Sequence, residues 1–142
     1  MDLENEFEGC QLTAYQDGGG VWTIGWGHTG PDVHAGLVWT QQQADAQLAK
    51  DKARAQAVID ELVTDHLNAD EDLAVRDLIF NIGQGNFAHS TLLRDLNAGD
   101  LNGAAAEFDK WDHVAGKVVA GLLRRRQAET ALFEQGMRPA TA

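Results

Sequence analysis

Two carboxylates and a hydroxyl stand at a spacing that chemistry can use. Glu8 lies nine positions before Asp17 and Thr23 six positions after it, within Glu8-Gly9-x-x-Leu12-x-Ala14-Tyr15-x-Asp17 and the adjoining Gly20-x-x-Thr23-Ile24-Gly25-x-Gly27-His28-Thr29. Cleaving a glycosidic bond needs one protonated carboxyl to donate to the leaving oxygen and one ionised carboxylate to stabilise charge or activate water. Glu8 and Asp17 can divide those roles if their surroundings push their pKa values apart. A threonine hydroxyl both donates and accepts, which suits Thr23 to share the grip on a water. Spacing alone describes two solvated surface acids equally well, so the choice falls to the residues around them.

The segments that must position these groups carry local signals. Residues 2 to 9 suit one short helix ending near Glu8. Gly18-Gly19-Gly20 predicts a turn with φ > 0 at each glycine, and Val21-Trp22-Thr23-Ile24 then favours a strand. A glycine-rich phosphate loop is the rival for this stretch; it is set aside because the lysine of such a loop is missing and no strand is expected ahead of the glycines. Gly25, Gly27, Gly30 and Pro31 continue an irregular sheet and loop region. Thr40-Gln41-Gln42-Gln43 is a capping box, and Ala44, Leu48, Ala55, Val58, Ile59 and Leu62 then recur at near-helical intervals to about Val63. Residues 71 to 82, 90 to 97, 101 to 109 and 118 to 134 read as four shorter helices with stops at Gly83, Gly99, Gly116 and Gly136.

The opening strings resemble the catalytic signature of the phage-type lysozymes, also called endolysins or muramidases, of glycoside hydrolase family 24. Acid, carboxylate and threonine stand at that family's spacing. A second block, Leu78-Ile79-Phe80-Asn81-Ile82-Gly83-x-Gly85-x-Phe87-x-x-Ser90-Thr91-Leu92-Leu93, is similar to the family's helix, turn and helix behind its cleft. A third, Phe108-x-x-Trp111 through Gly121-Leu122-Leu123-x-Arg125-Arg126-x-x-Glu129-x-x-Leu132-Phe133, is similar to its closing helix. Together they cover nearly the whole chain.

The resemblance implies an α+β, mostly helical lysozyme fold in a single domain over residues 1–142. A small N-terminal β-containing lobe (about 8–40) and a larger helical lobe (about 64–142), plus the N-terminal helix, would be joined by the long helix 41–63, with the active-site cleft between them. It implies a peptidoglycan hydrolase cleaving the β-1,4 bond between N-acetylmuramic acid and N-acetylglucosamine. Glu8 would be the general acid and Asp17 the general base, with Thr23 holding the attacking water on the opposite face of the sugar in an inverting mechanism. Carboxyl groups in such a pair stand roughly 6.5 to 9.5 Å apart, against about 5 Å in a retaining pair. Desolvation and the anionic N-terminal segment favour the protonated form of Glu8, whereas the pairing with Arg125 that the family implies opposes it.

Other residues take expectations from the same source. The rest of Arg124-Arg125-Arg126 reads as a solvated basic patch on the last helix. His28 is expected to be tied to Asp51 of the long helix rather than to act as a base or metal ligand. Phe80, Asn81 and Ser90 face the cleft by resemblance, where an amide and a hydroxyl suit N-acetyl and hydroxyl groups of a glycan; packing and capping are their plain alternative. Trp26 is a candidate sugar platform, although one of the pair Trp22 and Trp26 is expected in the core. Trp111, at helical spacing from Phe108, reads as core.

Composition narrows the classes. A chain of 142 residues with 44% hydrophobic content can bury the core of one domain. No run approaches the roughly 18 apolar residues of a membrane span, and Met1-Asp2-Leu3-Glu4-Asn5-Glu6 lacks the features of an export signal. The expected location is therefore soluble, in the host cytoplasm before release to the wall if the protein is a phage endolysin, with no stable membrane insertion. The run ahead of Glu8 is shorter than the family usually has. Cys10 is alone, which excludes an internal disulfide and leaves the reading of a small buried hydrophobe. With 22 acidic against 11 basic residues the formal charge is −11, which argues against nucleic acid as a partner. No HExxH or Cys/His cluster suggests a metal and no cofactor is implied; the expected partner is bacterial peptidoglycan and the expected state a monomer. Two rival readings share the fold: a catalytically silent glycan- or protein-binding module, and a related chitin-type hydrolase.

Overall fold

Thr40 starts the longest helix by the local chemistry its sequence announces. Its backbone N–H donates to Gln43 Oε1 at 2.8 Å, and its hydroxyl accepts from Gln43 N at 3.1 Å. In the computed structural model, which describes residues 2–138, the helix α2 then runs over Gln41–Leu62. Met1 and residues 139–142, at the two ends of the expected single domain, lie outside the described residues. The chain divides into two units, Met1–Arg54 and Ala55–Ala142, with the boundary inside α2.

The first unit begins with α1, Leu3–Glu8, a helix too short to persist alone. Lys52 of α2 holds it, donating to Asp2 Oδ2 at 3.0 Å and Asn5 Oδ1 at 2.7 Å. Three antiparallel strands follow in the order β1 (Gln11–Gln16), β2 (Trp22–Gly25) and β3 (His28–Thr29). The expected strand at 21–24 is β2, but β1 was not foreseen, because its alternation is interrupted: an irregularity lies between the pairs Gln11↔Gly25 and Tyr15↔Thr23. A strand therefore does precede the glycines, contrary to the expectation for this stretch. The turn still excludes an anion, since its own Asp17 already accepts from Gly19 N and Val21 N, each at 2.9 Å. Of its three glycines only Gly20 adopts positive φ, at 79°, because one left-handed residue suffices to reverse the chain here. Ile24 and Ala44 are wholly buried at the centre of this unit, with Val33 and Leu48 beside them.

The second unit is helical. It contains α3 (Ala69–Ile82), α4 (Gln84–Ala88), α5 (Thr91–Asn97), α6 (Leu101–Glu107), a 3-10 turn (Phe108–Trp111), the hairpin β4 (His113–Val114) and β5 (Lys117–Val118), and α7 (Ala120–Met137). Asn68 and Glu71 form a full capping box that starts α3 two residues before the sequence suggested. Gly83 ends α3 as expected, but α4 begins directly after it. Gly116 does not stop a helix: with Ala115 it forms the two-residue turn of the hairpin, both at positive φ, the geometry that matches strand twist. Gly136 does not stop one either. It lies inside α7, where a side chain would stand 2.6 Å from Asn68 Oδ1 and 3.0 Å from Glu71 N, so the cap of α3 requires its absence. Leu78, Phe87, Leu92, Leu96, Phe108 and Phe133 are buried at the centre, the last two phenylalanine rings 5.4 Å apart. Trp111 packs against this core only partly buried.

The arginine triplet departs most from expectation. Only Arg124 is exposed; Arg125 and Arg126 are buried. Arg125 forms two bonds to Asp77, Nε to Oδ2 and Nη2 to Oδ1, both 2.8 Å. Arg126 Nη2 donates to Glu129 Oε2 at 2.9 Å, while its Nε approaches Glu129 Oε1 at 2.8 Å without hydrogen-bond alignment, a purely Coulombic contact. Burial and then the neighbouring Asp77 raise the Glu129 carboxyl well above the ordinary carboxylate range. Asp77 is held below its ordinary value: burial would raise it, but bonds from Arg125 and Glu129 outweigh that. Arg126 is the residue that departs from the solvated patch: its partner Glu129 is only three residues away, and that helical spacing does not show that the pair is enclosed in the core.

Candidate active site

Glu8 is the last residue of α1, half-buried, and its carboxyl lies directly on the backbone of Gly27. A Cβ at Gly27 would overlap Glu8 Oε1 and stand 2.6 Å from Cδ, so any side chain there would push the carboxyl away. Gly27 also has φ of 77°, a conformation that glycine adopts without strain. The Gly-x-Gly after Thr23 is legible as a turn; its role as a seat for a carboxyl arises only in the tertiary structure.

Asp17 sits at the tip of the β1–β2 hairpin and is exposed. The two backbone N–H groups that bind its Oδ1 fix the carboxylate's direction, and the Asp17 backbone closes the turn through Val21 O and Gly20 N. Thr23 is 4% exposed and donates its hydroxyl proton to Val21 O at 2.9 Å. Its lone pairs are therefore what it offers a water. Residue 15 pairs with 23, and side chains alternate along a strand, so Tyr15, Asp17 and Thr23 share one face of the hairpin. Tyr15 had no expected role. Burial first, then the charges of Glu8 and Asp17, push its hydroxyl above the ordinary value, so it stays a neutral hydroxyl near both carboxylates.

Supporting residues fall in two groups. In the first unit, His28 is 8% exposed and lies between two carboxylates, Nδ1 2.8 Å from Asp51 Oδ2 and Nε2 3.2 Å from Asp32 Oδ2, with Trp39 5.6 Å from its ring. Asp32 had not been foreseen. Trp22 and Trp26 are both half-buried, so neither is the core member of the pair. Cys10 is half-buried rather than buried. In the second unit, Phe80 and Asn81 are half-buried at the end of α3, and the Arg125 guanidinium stands 6.0 Å from the Phe80 ring centre. Ser90 is 4% exposed, donates to Phe87 O at 2.7 Å and accepts from Leu93 N at 3.1 Å, so its hydroxyl caps α5, the plain alternative expected for it. Among the described residues no group of three or more His, Cys, Asp or Glu is arranged to hold a metal ion, and no helix is long and apolar enough to cross a membrane.

A mostly helical α+β frame with a carboxyl at a helix end, followed by a hairpin bearing a second carboxyl and a threonine, defines a hydrolase of the lysozyme class. Known proteins make the class specific. The phage lysozyme family model matches residues 5–129. The endolysin of Acyrthosiphon pisum secondary endosymbiont phage 1 is 46% identical over 136 residues, 93% of this chain and 92% of that protein. Among solved structures, the muramidase domain of SpmX from Asticaccaulis excentricus superposes with a TM-score of 0.81 at 36% identity, covering 92% of this chain and 91% of that one. A point mutant of P22 lysozyme gives 0.75 at 38% identity, covering 93% and 92%. The chain belongs to the phage lysozyme family and is an enzyme, a lysozyme that hydrolyses peptidoglycan.

Proposed function

We propose that the enzyme cleaves the β-1,4 bond between N-acetylmuramic acid and N-acetylglucosamine in one inverting displacement. Glu8 donates its proton to the leaving oxygen, and Asp17 takes a proton from the attacking water. The observation that carries this reading is the hydrogen bond from Thr23 to Val21 O. With its proton committed, Thr23 can only accept from a water. A water that donates one hydrogen to Thr23 and the other to Asp17 keeps a lone pair free for the anomeric carbon, which is what general-base activation needs. Positions 17 and 23 are diagonal neighbours on the hairpin, about 7 to 8 Å apart between side-chain origins, enough for one bridging water. Phe80, Asn81 and Trp26 are proposed sugar contacts, on the strength of the resemblance and their partial exposure.

Stereochemistry tests the mechanism. Inversion at a β-linkage makes the first-formed reducing end the α-anomer, which proton NMR of soluble peptidoglycan fragments resolves before mutarotation. A β-anomer as first product would overturn the assignment of Asp17 as base.

The charge of −11 makes a second expectation. An anionic enzyme on an anionic wall is repelled over a distance that shrinks to about 8 Å at physiological ionic strength. Clearing of whole walls should therefore rise several-fold from 10 mM to 150 mM salt, by about the factor that screening contributes to like-charged encounter. Cleavage of short neutral fragments should stay flat. A fall in clearing with added salt would mean that local cations, not net charge, govern wall approach.

A further inference from the structure

The turn between β2 and β3 has two residues, Trp26 and Gly27, and both are engaged. Gly27 carries the Glu8 carboxyl on its α-carbon. Trp26 Nε1 donates to Asp45 Oδ1 at 2.9 Å, and the same oxygen accepts from Gln41 Nε2 at 2.8 Å. Gln41 Nε2 also lies 3.6 Å from the sulfur of Cys10, two residues beyond Glu8. Gly25 completes the attachment: a side chain there would stand 3.0 Å from the Trp39 ring and 3.4 Å from Ala44 Cβ, so the end of β2 lies flat on this part of the unit. The first turns of α2 thus hold both backbone segments that flank the Glu8 carboxyl, Cys10 on one side and the 25–27 turn on the other.

We propose that Asp45 is a positioning residue for the general acid: by anchoring Trp26 it fixes the two-residue turn on which the Glu8 carboxyl rests. The inference depends on Glu8 being the acid. Hydrogen bonds from Trp26, then from Gln41, hold the Asp45 carboxyl below its ordinary value, so it is an ionised acceptor and both bonds are charge-assisted. Asp45 is exposed, so its removal loosens the turn without opening the fold. Proton donation is sensitive to such loosening, since a misplacement of about 1 Å can cost a hundredfold in rate.

Steady-state kinetics on soluble peptidoglycan fragments test this with Asp45→Ala, Asp45→Asn, Trp26→Phe, the Ala/Phe pair and Gly27→Ala, each checked by its melting temperature. Asp45→Ala should lower kcat about tenfold with KM nearly unchanged, a smaller loss than full misplacement brings. Asp45→Asn keeps an oxygen for Trp26 and should recover most of that loss. Trp26→Phe should reproduce the kcat defect, any rise in KM being the loss of its proposed sugar contact, and the kcat of the pair should be no lower than that of the slower single variant, because both remove one link. Gly27→Ala, which displaces the carboxyl itself, should lose more than any of them. Turnover of Asp45→Ala equal to the native enzyme, multiplying defects in the pair, or a change confined to KM would each overturn the proposal. Failure of the underlying reading looks different: Glu8→Gln would then stay active whatever the Asp45 variants do.

Discussion

Glu8→Gln is expected to fold as the native protein does and to lose about two to four orders of magnitude in bond cleavage, the contribution of a positioned general acid. Glutamine has the shape of glutamate, so it can lie on the Gly27 backbone as Glu8 does. What it lacks is a proton to give. The leaving sugar oxygen then departs as an alkoxide, which adds roughly 3 to 5 kcal/mol to the barrier. Release of reducing ends from purified peptidoglycan, with melting temperature as control, measures the effect. Activity within tenfold of native would remove Glu8 from the acid's role, and full loss accompanied by unfolding would be answered by Glu8→Asp, which keeps the proton but shortens its reach.

The second large effect concerns stability. Arg126→Ala should cost about 3 to 5 kcal/mol where Glu129 is ionised, because it leaves that buried carboxylate without its cation. Arg126 and Glu129 are wholly buried, and Asp77 is too. Against a total stability of about 5 to 15 kcal/mol such a loss is severe. The defect should depend on pH with a definite sign. Glu129 has a raised value in the fold, so its contribution is fully present below the unfolded carboxylate value of 4.5 and is lost as pH rises through the folded value. Arg126 attracts Glu129 only where that carboxyl is ionised, so removing it hurts more at pH 8 than at pH 5. Asp77 has the opposite sense: its contribution is present above 3.8 and fades as pH falls through its lowered value, which confines the comparison to pH 5 and above. Urea unfolding at the two pH values reads both claims. A loss under 1 kcal/mol at each would show that the arginine is dispensable.

Local signals were legible where one turn of chain contains all the partners. The Thr40–Gln43 box, the helix start it sets and the buried stripe Ala44, Leu48, Ala55, Val58 and Ile59 all appear as read, because a cap and its helix interact within four residues. The β1 strand was hidden by its irregular pairing, and the β4–β5 hairpin by its brevity. Ser90 belongs with the local signals. A serine before a helix is an N-cap by local rules, and Ser90 fills that role at the start of α5.

Sequence by itself determined the family, the mostly helical α+β class and the order acid, hairpin carboxylate, threonine, since these depend on residue types at fixed intervals. Tertiary structure decided everything that depends on a distant partner. It buried Arg125 against Asp77, gave Gly136 its place under the Asn68 cap, and set His28 beside Asp51. It also decided where the Glu8 carboxyl lies. A glycine nineteen residues later, in a turn that Trp26 ties to Asp45, leaves the space that the acid occupies, and the absence of a side chain has no spacing to be read.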